Sequence, residues 1–532
     1  MNPRSSLPHI AGAAGALLLL ACAVWFRLHG SLQEPFWLDE AYSAYAAGKG
    51  FDFLWHVVPS YETHPPFYYS LLRVWTLLFG ESLAAHRALG FVAGLATLPV
   101  LALAARDVAR TCNLDRVRIV WGTLAFAAFS IVLVAMTREV RPYPVMILVY
   151  ACTMWALVRL GIAAERDGHV AARPFAAYLL GLALMLWLHN LGALYAAALG
   201  TALSALVLRR GLSRRDWLLL LGGHLLVALA WLPALLILAD QAPTWVGSTW
   251  LKFSWETIPV KLAILYGAPG TLPVIALAVL TPLSIWRLAD SAARRRMAAA
   301  LFALALIPAA ASVTLSVLVA PVFIIRTMTP VAVPAMLLLA IGSLGFTTGW
   351  RRWAGLAAGL VVLCNMIAVD RAERQHVGGQ QPWYGVVDFL AKRWRPGDVV
   401  LAYPNEGALP LLFALRDRGL PIPIRPIPTA MPSIGVGGWH PTGSRGVVSL
   451  PRARLRAIAR EDTIRAAPTV WLLRLGPRAY DKGDVFLHEL STDRRPAARL
   501  YWNPIDLIAL RRVDARQRPP GIPASASAIR QP

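Results

Sequence analysis

The chain has 532 residues, 57% of them hydrophobic and only 15% charged, with a mean hydropathy of +0.53. A soluble globular protein carries about 25% charged residues, so a chain that is soluble throughout is excluded. The formal net charge of +23 does not point to nucleic acid, because the arginines gather in short gaps between apolar runs, as the positive-inside rule requires of a multi-span membrane protein.

Apolar runs of about 20 residues, enough to cross roughly 30 Å of hydrocarbon, recur from residue 10 to residue 369. The first, 10–25, lacks a small-residue cleavage site and is read as the body of an uncleaved helix over 10–28, with Arg4 on the inner side. The polar gap that follows reads Glu34-Pro35-Phe36-Trp37-Leu38-Asp39-Glu40-Ala41-Tyr42, and later His64-Pro65-Pro66-Phe67-Tyr68-Tyr69-Ser70. The stretch 65–79 is short, carries Arg73 and opens with Pro-Pro, a helix-start signal. It is expected to lie along the interface rather than cross.

The second span is placed at 88–105, ending at Arg106 and Arg110 on the inside. The third, 118–136, exits to Arg138-Glu139-Val140-Arg141-Pro142-Tyr143-Pro144, and the fourth returns to Arg159 and a charged loop at 165–173. Spans five and six, 175–189 and 191–208, meet outside at His189-Asn190, and Arg209, Arg210, Arg214 and Arg215 follow inside. Span seven leads to an outer loop containing Trp245, Trp250, Lys252 and Trp255. Span eight starts near 270 and returns to Arg287 and Arg294-Arg295-Arg296. Span nine, 297–319, exits at 321–326, span ten returns to Arg351-Arg352, and span eleven, 353–369, exits. The expectation is a polytopic α-helical membrane domain over 1–369, with eleven transmembrane helices, the N-terminus cytoplasmic and a first outer loop at 30–86.

Residues 370–516 have the texture of a small α/β domain on the outer, periplasmic side. A helix is expected at 383–394, a turn at Pro396-Gly397-Asp398, a strand at 399–403, a helix at 455–459 and strands at 470–475 and 507–510. The tail 517–532, rich in Pro, Ala and Ser, is expected to be disordered. From 370 onward 25 Lys and Arg face 14 Asp and Glu, a net of +11, which a long translocated domain tolerates. Cys22, Cys112, Cys152 and Cys364 have neither metal nor redox spacing.

Ionisable groups pressed against a membrane are costly and are read as functional by default. With this topology Asp39, Glu40, His64, Arg138, Arg141, Tyr143, His189 and Arg326 all fall on the outer face. Neighbours on a helix diverge by ~100°, so one of Asp39 and Glu40 can face a substrate while the other supports the fold or binds a metal. A carboxylate in a low-dielectric pocket suits a general base, and Arg138, Arg141 and Arg326 offer donor forks to a phosphate. The ordinary alternatives are helix-dipole pairing for the acids, snorkelling for the arginines, structural hydrogen bonding for the histidines and an interfacial belt for the tryptophans.

Trp37-Leu38-Asp39-Glu40-Ala41-Tyr42, His64-Pro65-Pro66-Phe67-Tyr68-Tyr69, Arg87-x-x-Gly90, Arg138-Glu139-Val140-Arg141-Pro142-Tyr143, His189-Asn190-Leu191-Gly192 and Arg326-Thr327-Met328-Thr329-Pro330 together resemble a known family. It is the polyprenyl-phosphate-dependent glycosyltransferases of the GT-C type, in the branch of protein O-mannosyltransferases and bacterial lipid A aminoarabinose transferases. Trp383-Tyr384-Gly385 and Pro396-Gly397-Asp398 resemble the start of that family's outer domain, and Thr327 departs from the Tyr that relatives often carry there.

The resemblance implies an inverting transfer of a sugar from a polyprenyl-phosphate donor, at the outer face of a bacterial inner membrane. The acceptor would be a cell-envelope lipid A or lipopolysaccharide, another glycan or a protein. It implies Asp39 as general base, Glu40 as a supporting carboxylate, and Arg138, Arg141 and Arg326 on the leaving phosphate, with His64, Tyr143 and His189 completing the donor site. Some relatives use a divalent metal ion, for which Asp39 and Glu40 would be the ligands. The rival reading is a transporter or flippase of lipid-linked sugars, which predicts internal repeats, broken helices and midplane charges. A third is a membrane scaffold that binds partners through its outer domain.

Overall fold

The computed structural model describes residues 7–208, 212–249, 251–375, 381–440 and 446–513. Arg4, Arg209, Arg210, Trp250 and the 517–532 tail, on which expectations rested, lie outside the described residues. Those described form two compact units, 7–375 and 381–513.

The first unit is helical: α1 (Leu7–Leu28), α2 (Leu38–Gly48), α3 (Phe67–Phe79), α4 (Leu83–Thr111), α5 (Arg116–Phe129), α6 (Ile131–Thr137), α7 (Tyr143–Asp167) and α8 (Ala172–Leu188). It continues through α9 (Gly192–Val207), α10 (Arg214–Ser248), α11 (Thr257–Leu265), α12 (Thr271–Arg287), α13 (Ala292–Leu318), α14 (Ile325–Met328), α15 (Ala332–Leu344) and α16 (Gly349–Gln375). The chain is a multi-pass membrane protein. Among the described residues six stretches are long and apolar enough to cross a bilayer: α4, α7, α10, α13, Ile325–Leu344 and Gly349–Ala372. The pair α5–α6, bent by 56° at Ser130, makes a seventh, and Ala14–Leu28, α8, α9 and α12 are shorter apolar helices. Every apolar run read from the sequence is thus a helix, but length and composition alone do not make eleven crossings. The helix α3, at 13 residues, reaches only about 20 Å at 1.5 Å per residue, too short to span.

Three boundaries differ from expectation, each for a local reason. Ser82 accepts a hydrogen bond from Ala85 N at 3.1 Å and caps α4, so that helix starts at Leu83 and Arg87 sits inside it. Pro233 and Pro243 do not end α10, which runs to Ser248. Trp245 is therefore on a helix rather than in an outer loop. The helix α16 continues past residue 369 to Gln375, because the loss of hydropathy at Asp370 does not break the backbone pattern.

Helix α15 is the core of this unit. It packs on α5, α12 and α16, and all its residues but Leu344 are buried. Close approach there depends on missing side chains: a Cβ on Gly342 would lie 2.5 Å from Leu280 O, and one on Gly355 2.6 Å from Gly342 O.

The second unit has α17 (Trp383–Ala391), β1 (Val399–Tyr403), α18 (Ala408–Asp417), β2 (Ile424–Pro426), α19 (Arg452–Ala459), α20 (Asp462–Ala466), β3 (Thr469–Leu475), α21 (Pro477–Tyr480), α22 (Val485–Leu490), β4 (Arg494–Trp502) and β5 (Ile505–Arg512). The sheet order is β2-β1-β3-β5-β4. The strand β1 runs parallel to β2 and β3, while β5 is antiparallel to β3 and β4. Leu401, Val470, Leu472, Phe486, Ile508 and Leu510 form its buried core. The expected strands at 399–403, 470–475 and 507–510 fall on β1, β3 and β5. Missed were α18, β2, α20, α21, α22 and β4. The edge strand β4 carries arginines and Pro496 and shows no apolar alternation, and β2 is three residues long.

The α12–α15 contact yields a test. Gly342→Val forces a side chain into the Leu280 backbone and is expected to cost about 1–3 kcal/mol, the usual range for overpacking. A lowered thermal midpoint in detergent, against an unchanged midpoint for Gly222→Ala (where a Cβ meets nothing within 4 Å), checks it.

Candidate functional site

The helix α2 begins at Leu38, which puts Asp39 and Glu40 in its first turn on diverging directions. Glu40 points inward and is 2% exposed. Its Oε2 accepts from Trp37 N (3.3 Å) and Arg87 Nη2 (3.2 Å), and its Oε1 accepts from Val140 N (3.0 Å). Burial raises the Glu40 pKa, with Arg87 and the backbone donors opposing. Arg87 also donates to the carbonyls of Ser31, Glu34 (2.9 Å) and Pro35 (3.3 Å), pinning the segment that leads into α2.

Asp39 faces the other way and is about a quarter exposed, at 26%. Its Oδ2 lies 3.2 Å from Arg326 Nη1 and 3.9 Å from Arg141 Nη2. Burial works against charge on Arg141, yet Asp39 and the groups around it outweigh that and raise its pKa. Arg326 sits over the Trp37 ring, 5.1 Å from its centroid.

Beside this pair, Glu62 Oε1 accepts from Thr63 N (2.8 Å), His64 N (3.2 Å) and His64 Nδ1 (2.9 Å). Burial would raise its pKa, but His64 and Arg141 prevail and hold it at about 2. His64 Nε2 meets His189 Nε2 at 3.2 Å, and Asn190 Nδ2 donates to Thr63 Oγ1 at 3.4 Å. Desolvation, with His64, Arg141 and Arg326 nearby, pushes the His189 pKa well below the usual imidazole range.

These residues frame a cavity of about 350 Å³. Its polar end is lined by Thr63, His64, Arg141, Tyr143, His189 and Arg326, and its flank by Leu238, Trp245, Val246, Leu315 and Val319. Asp39 borders the polar end through its two arginines. Arg138 is not among the lining residues: its guanidinium donates to Arg27 O (3.3 Å) and Phe26 O (2.5 Å), closing the end of α1.

Sequence reasoning passed over three residues. Arg87, just before the expected second span, carried only its spacing to Gly90 as a signal and no site role. Glu62 lies two positions before His64 and was overshadowed by it. Glu139, between Arg138 and Arg141, has a buried Oε2 with no hydrogen-bond partner. Burial, then the nearby Glu40, pushes its pKa up to about 8.

A guanidinium pair, a carboxylate and an apolar flank can bind an anionic head group with an apolar tail and take a proton from a nucleophile beside it. The donor set does not suit a divalent metal ion. Both Glu40 oxygens are taken by nitrogen donors and Asp39 is bracketed by cations. Among the described residues no three His, Cys, Asp or Glu converge as ligands.

Two tests follow from the buried charges. Arg87→Ala leaves Glu40 uncompensated and is expected to cost about 3–5 kcal/mol, read as a lowered unfolding midpoint. Glu139 has a folded pKa above its ordinary value of 4.5, so its contribution to stability is fully present below pH 4.5 and lost as pH rises to about 8. Glu139→Gln should therefore gain on wild type by an amount that grows over that window, on the order of 4 kcal/mol at pH 8. Thermal unfolding at pH 4.5 and pH 8 checks it.

No family profile and no curated protein sequence matches the chain. Solved structures do. ArnT from Cupriavidus metallidurans in the apo state superposes with a TM-score of 0.55 at 14% identity, covering 94% of this chain and 98% of that one. The same protein bound to undecaprenyl phosphate gives 0.52 at 13%, covering 95% and 98%. The Archaeoglobus fulgidus oligosaccharyltransferase tethered to an acceptor peptide gives 0.50 at 12%, covering 96% and 75%. These are GT-C proteins, and the chain has the GT-C fold.

Proposed function

We propose that the protein is an inverting glycosyltransferase that moves a sugar from a polyprenyl-phosphate donor to a cell-envelope acceptor. The acceptor is a lipid A or lipopolysaccharide sugar, another glycan or a protein, met at the periplasmic face of a bacterial inner membrane. The observation that carries this reading is the cavity that pairs Arg141 and Arg326 with an apolar flank while Asp39 stands beside the same two arginines. ArnT, with the same fold, binds undecaprenyl phosphate, which supports a lipid-linked donor here. The orientation assumed is eleven crossings with the N-terminus cytoplasmic, which follows the charge pattern of the loops.

In this mechanism the donor phosphate lies between Arg141 and Arg326, and the prenyl chain runs along Leu238, Val246 and Leu315. An acceptor oxygen attacks the anomeric carbon from the face opposite the phosphate. The new C–O bond forms as the bond to the phosphate oxygen breaks, and that oxygen keeps the electron pair as polyprenyl phosphate departs. Asp39 takes the acceptor proton. The arginines that neutralise the leaving phosphate are those that hold Asp39 in the free protein, so donor binding loosens Asp39 toward the acceptor. Glu40 keeps α2 in place, and Arg138 supports the outer end of α1. The residues 381–513 form an outer domain. A flippase needs no proton acceptor, and Asp39 is the feature that favours the enzyme.

The direct assay follows label from a radiolabelled polyprenyl-phosphate sugar into envelope fractions, comparing membranes with wild-type protein and with Asp39→Asn at equal abundance. Transfer is expected to fall by about 10²–10⁴ in the variant, with donor accumulating. Equal transfer in both would remove Asp39 as the base and favour the transporter.

A further inference from the structure

His64 and His189 meet at the cavity wall, and their hydrogen bonds admit one arrangement of protons. The backbone N–H of Leu191 lies 3.0 Å from His189 Nδ1. An amide N–H only donates, so that ring nitrogen is the acceptor and the neutral ring carries its proton on Nε2. His189 Nε2 is 3.2 Å from His64 Nε2, which must then accept. The His64 proton is thereby placed on Nδ1, 2.9 Å from Glu62 Oε1. The chain runs in one direction, from a backbone amide through two imidazoles to a carboxylate that Thr63 N and His64 N also hold. Every ring nitrogen is occupied, so neither imidazole has a lone pair to spare as a base.

We propose that Glu62, His64 and His189 form a positioning latch that is closed only while His64 is neutral. Protonation of His64 at Nε2 would set two N–H donors face to face. It would part the segment before α3 from the corner between α8 and α9. The charged groups around the latch come from four elements. Glu62, on the segment before α3, faces His64 Nδ1. Arg141, ahead of α7, and Arg326, on α14, disfavour positive charge on the pair, and buried His189 bears that effect most. Tyr143, at the start of α7, lies 5.9 Å from the His189 ring. Asn190 reaches Thr63 across the same seam, so opening the latch widens the polar end of the cavity. The expected consequence is a loss of kcat on the acid side as the latch opens, with a smaller change in KM.

The latch rests on the glycosyl-transfer reading for its activity assay but not for its proton arrangement, so two measurements test it. In nanodiscs, the ¹⁵N shifts of labelled histidine at pH 8 should show His64 protonated at Nδ1 and unprotonated at Nε2. A proton on His64 Nε2 overturns the proposal. In the transfer assay, Glu62→Gln removes the carboxylate that faces His64 Nδ1 and should displace the acid limb of kcat. His64→Gln keeps an acceptor for His189 and a donor for Glu62 without titrating. It should lower kcat severalfold at neutral pH and flatten the acid limb. A limb that stays in place in both variants, with activity lowered uniformly, makes the pair merely structural and overturns the latch. Absence of transfer by the wild type at every pH would instead defeat the glycosyl-transfer reading, and the histidine shifts then decide the latch alone.

Discussion

The buried carboxylate of Glu40 joins three separated stretches of chain: the backbone before α2, Arg87 within α4, and Val140 in the link between α6 and α7. A buried ion pair of this kind is weak evidence of net stability, since desolvation offsets most of the attraction. Its value here is geometric. Removing any one partner strands a charge or a donor, so the three stretches hold one arrangement, and Arg87 extends it to the carbonyls of residues 31–35. The side chain next to Glu40 then has no choice of direction. Asp39 faces outward because Glu40 faces inward, and the link at Val140 brings Arg141 to meet it.

Around that fixed point the electrostatics are one-sided. Arg141 and Arg326 face the cavity, Glu62 is turned into its own loop and the histidines, and Asp39 is shared between the two guanidiniums. An anion entering the polar end meets two cations in a setting screened less than bulk water. The apolar flank formed by α10 and the end of α13 continues that site with a surface suited to a hydrocarbon chain. The elements that build the site come from distant parts of the sequence, yet all reach it near helix ends, where backbone donors and polar side chains are available.

Much of this was legible because charge stands out against an apolar background. Asp39, Glu40, His64, Arg141, Tyr143, His189 and Arg326 were each noticeable as polar groups at the ends of apolar runs, and the structure gathers them in one region. Direction was not legible. Arg138 and Arg141 are equivalent in the sequence, but three residues of irregular backbone send one to the carbonyls of α1 and the other to Asp39. Arg87 looked like the start of a span because hydropathy does not register a cap at Ser82. Glu139 drew no reading of its own, since nothing in its neighbours announces burial. In the C-terminal unit the buried strands β1 and β3 carried apolar runs and were visible. The exposed edge strand β4 owes its conformation to pairing with β5, a long-range contact that leaves no local pattern.

The central claim is that Asp39 and the donor phosphate share the same two arginines. The most direct measurement is the affinity of the purified protein for polyprenyl phosphate, in wild type and in Asp39→Asn. Shared arginines require the variant, freed of its competing carboxylate, to bind polyprenyl phosphate more tightly even though it is inactive in transfer. Weaker or unchanged binding by the variant would place the phosphate away from Arg141 and Arg326 and contradict the account.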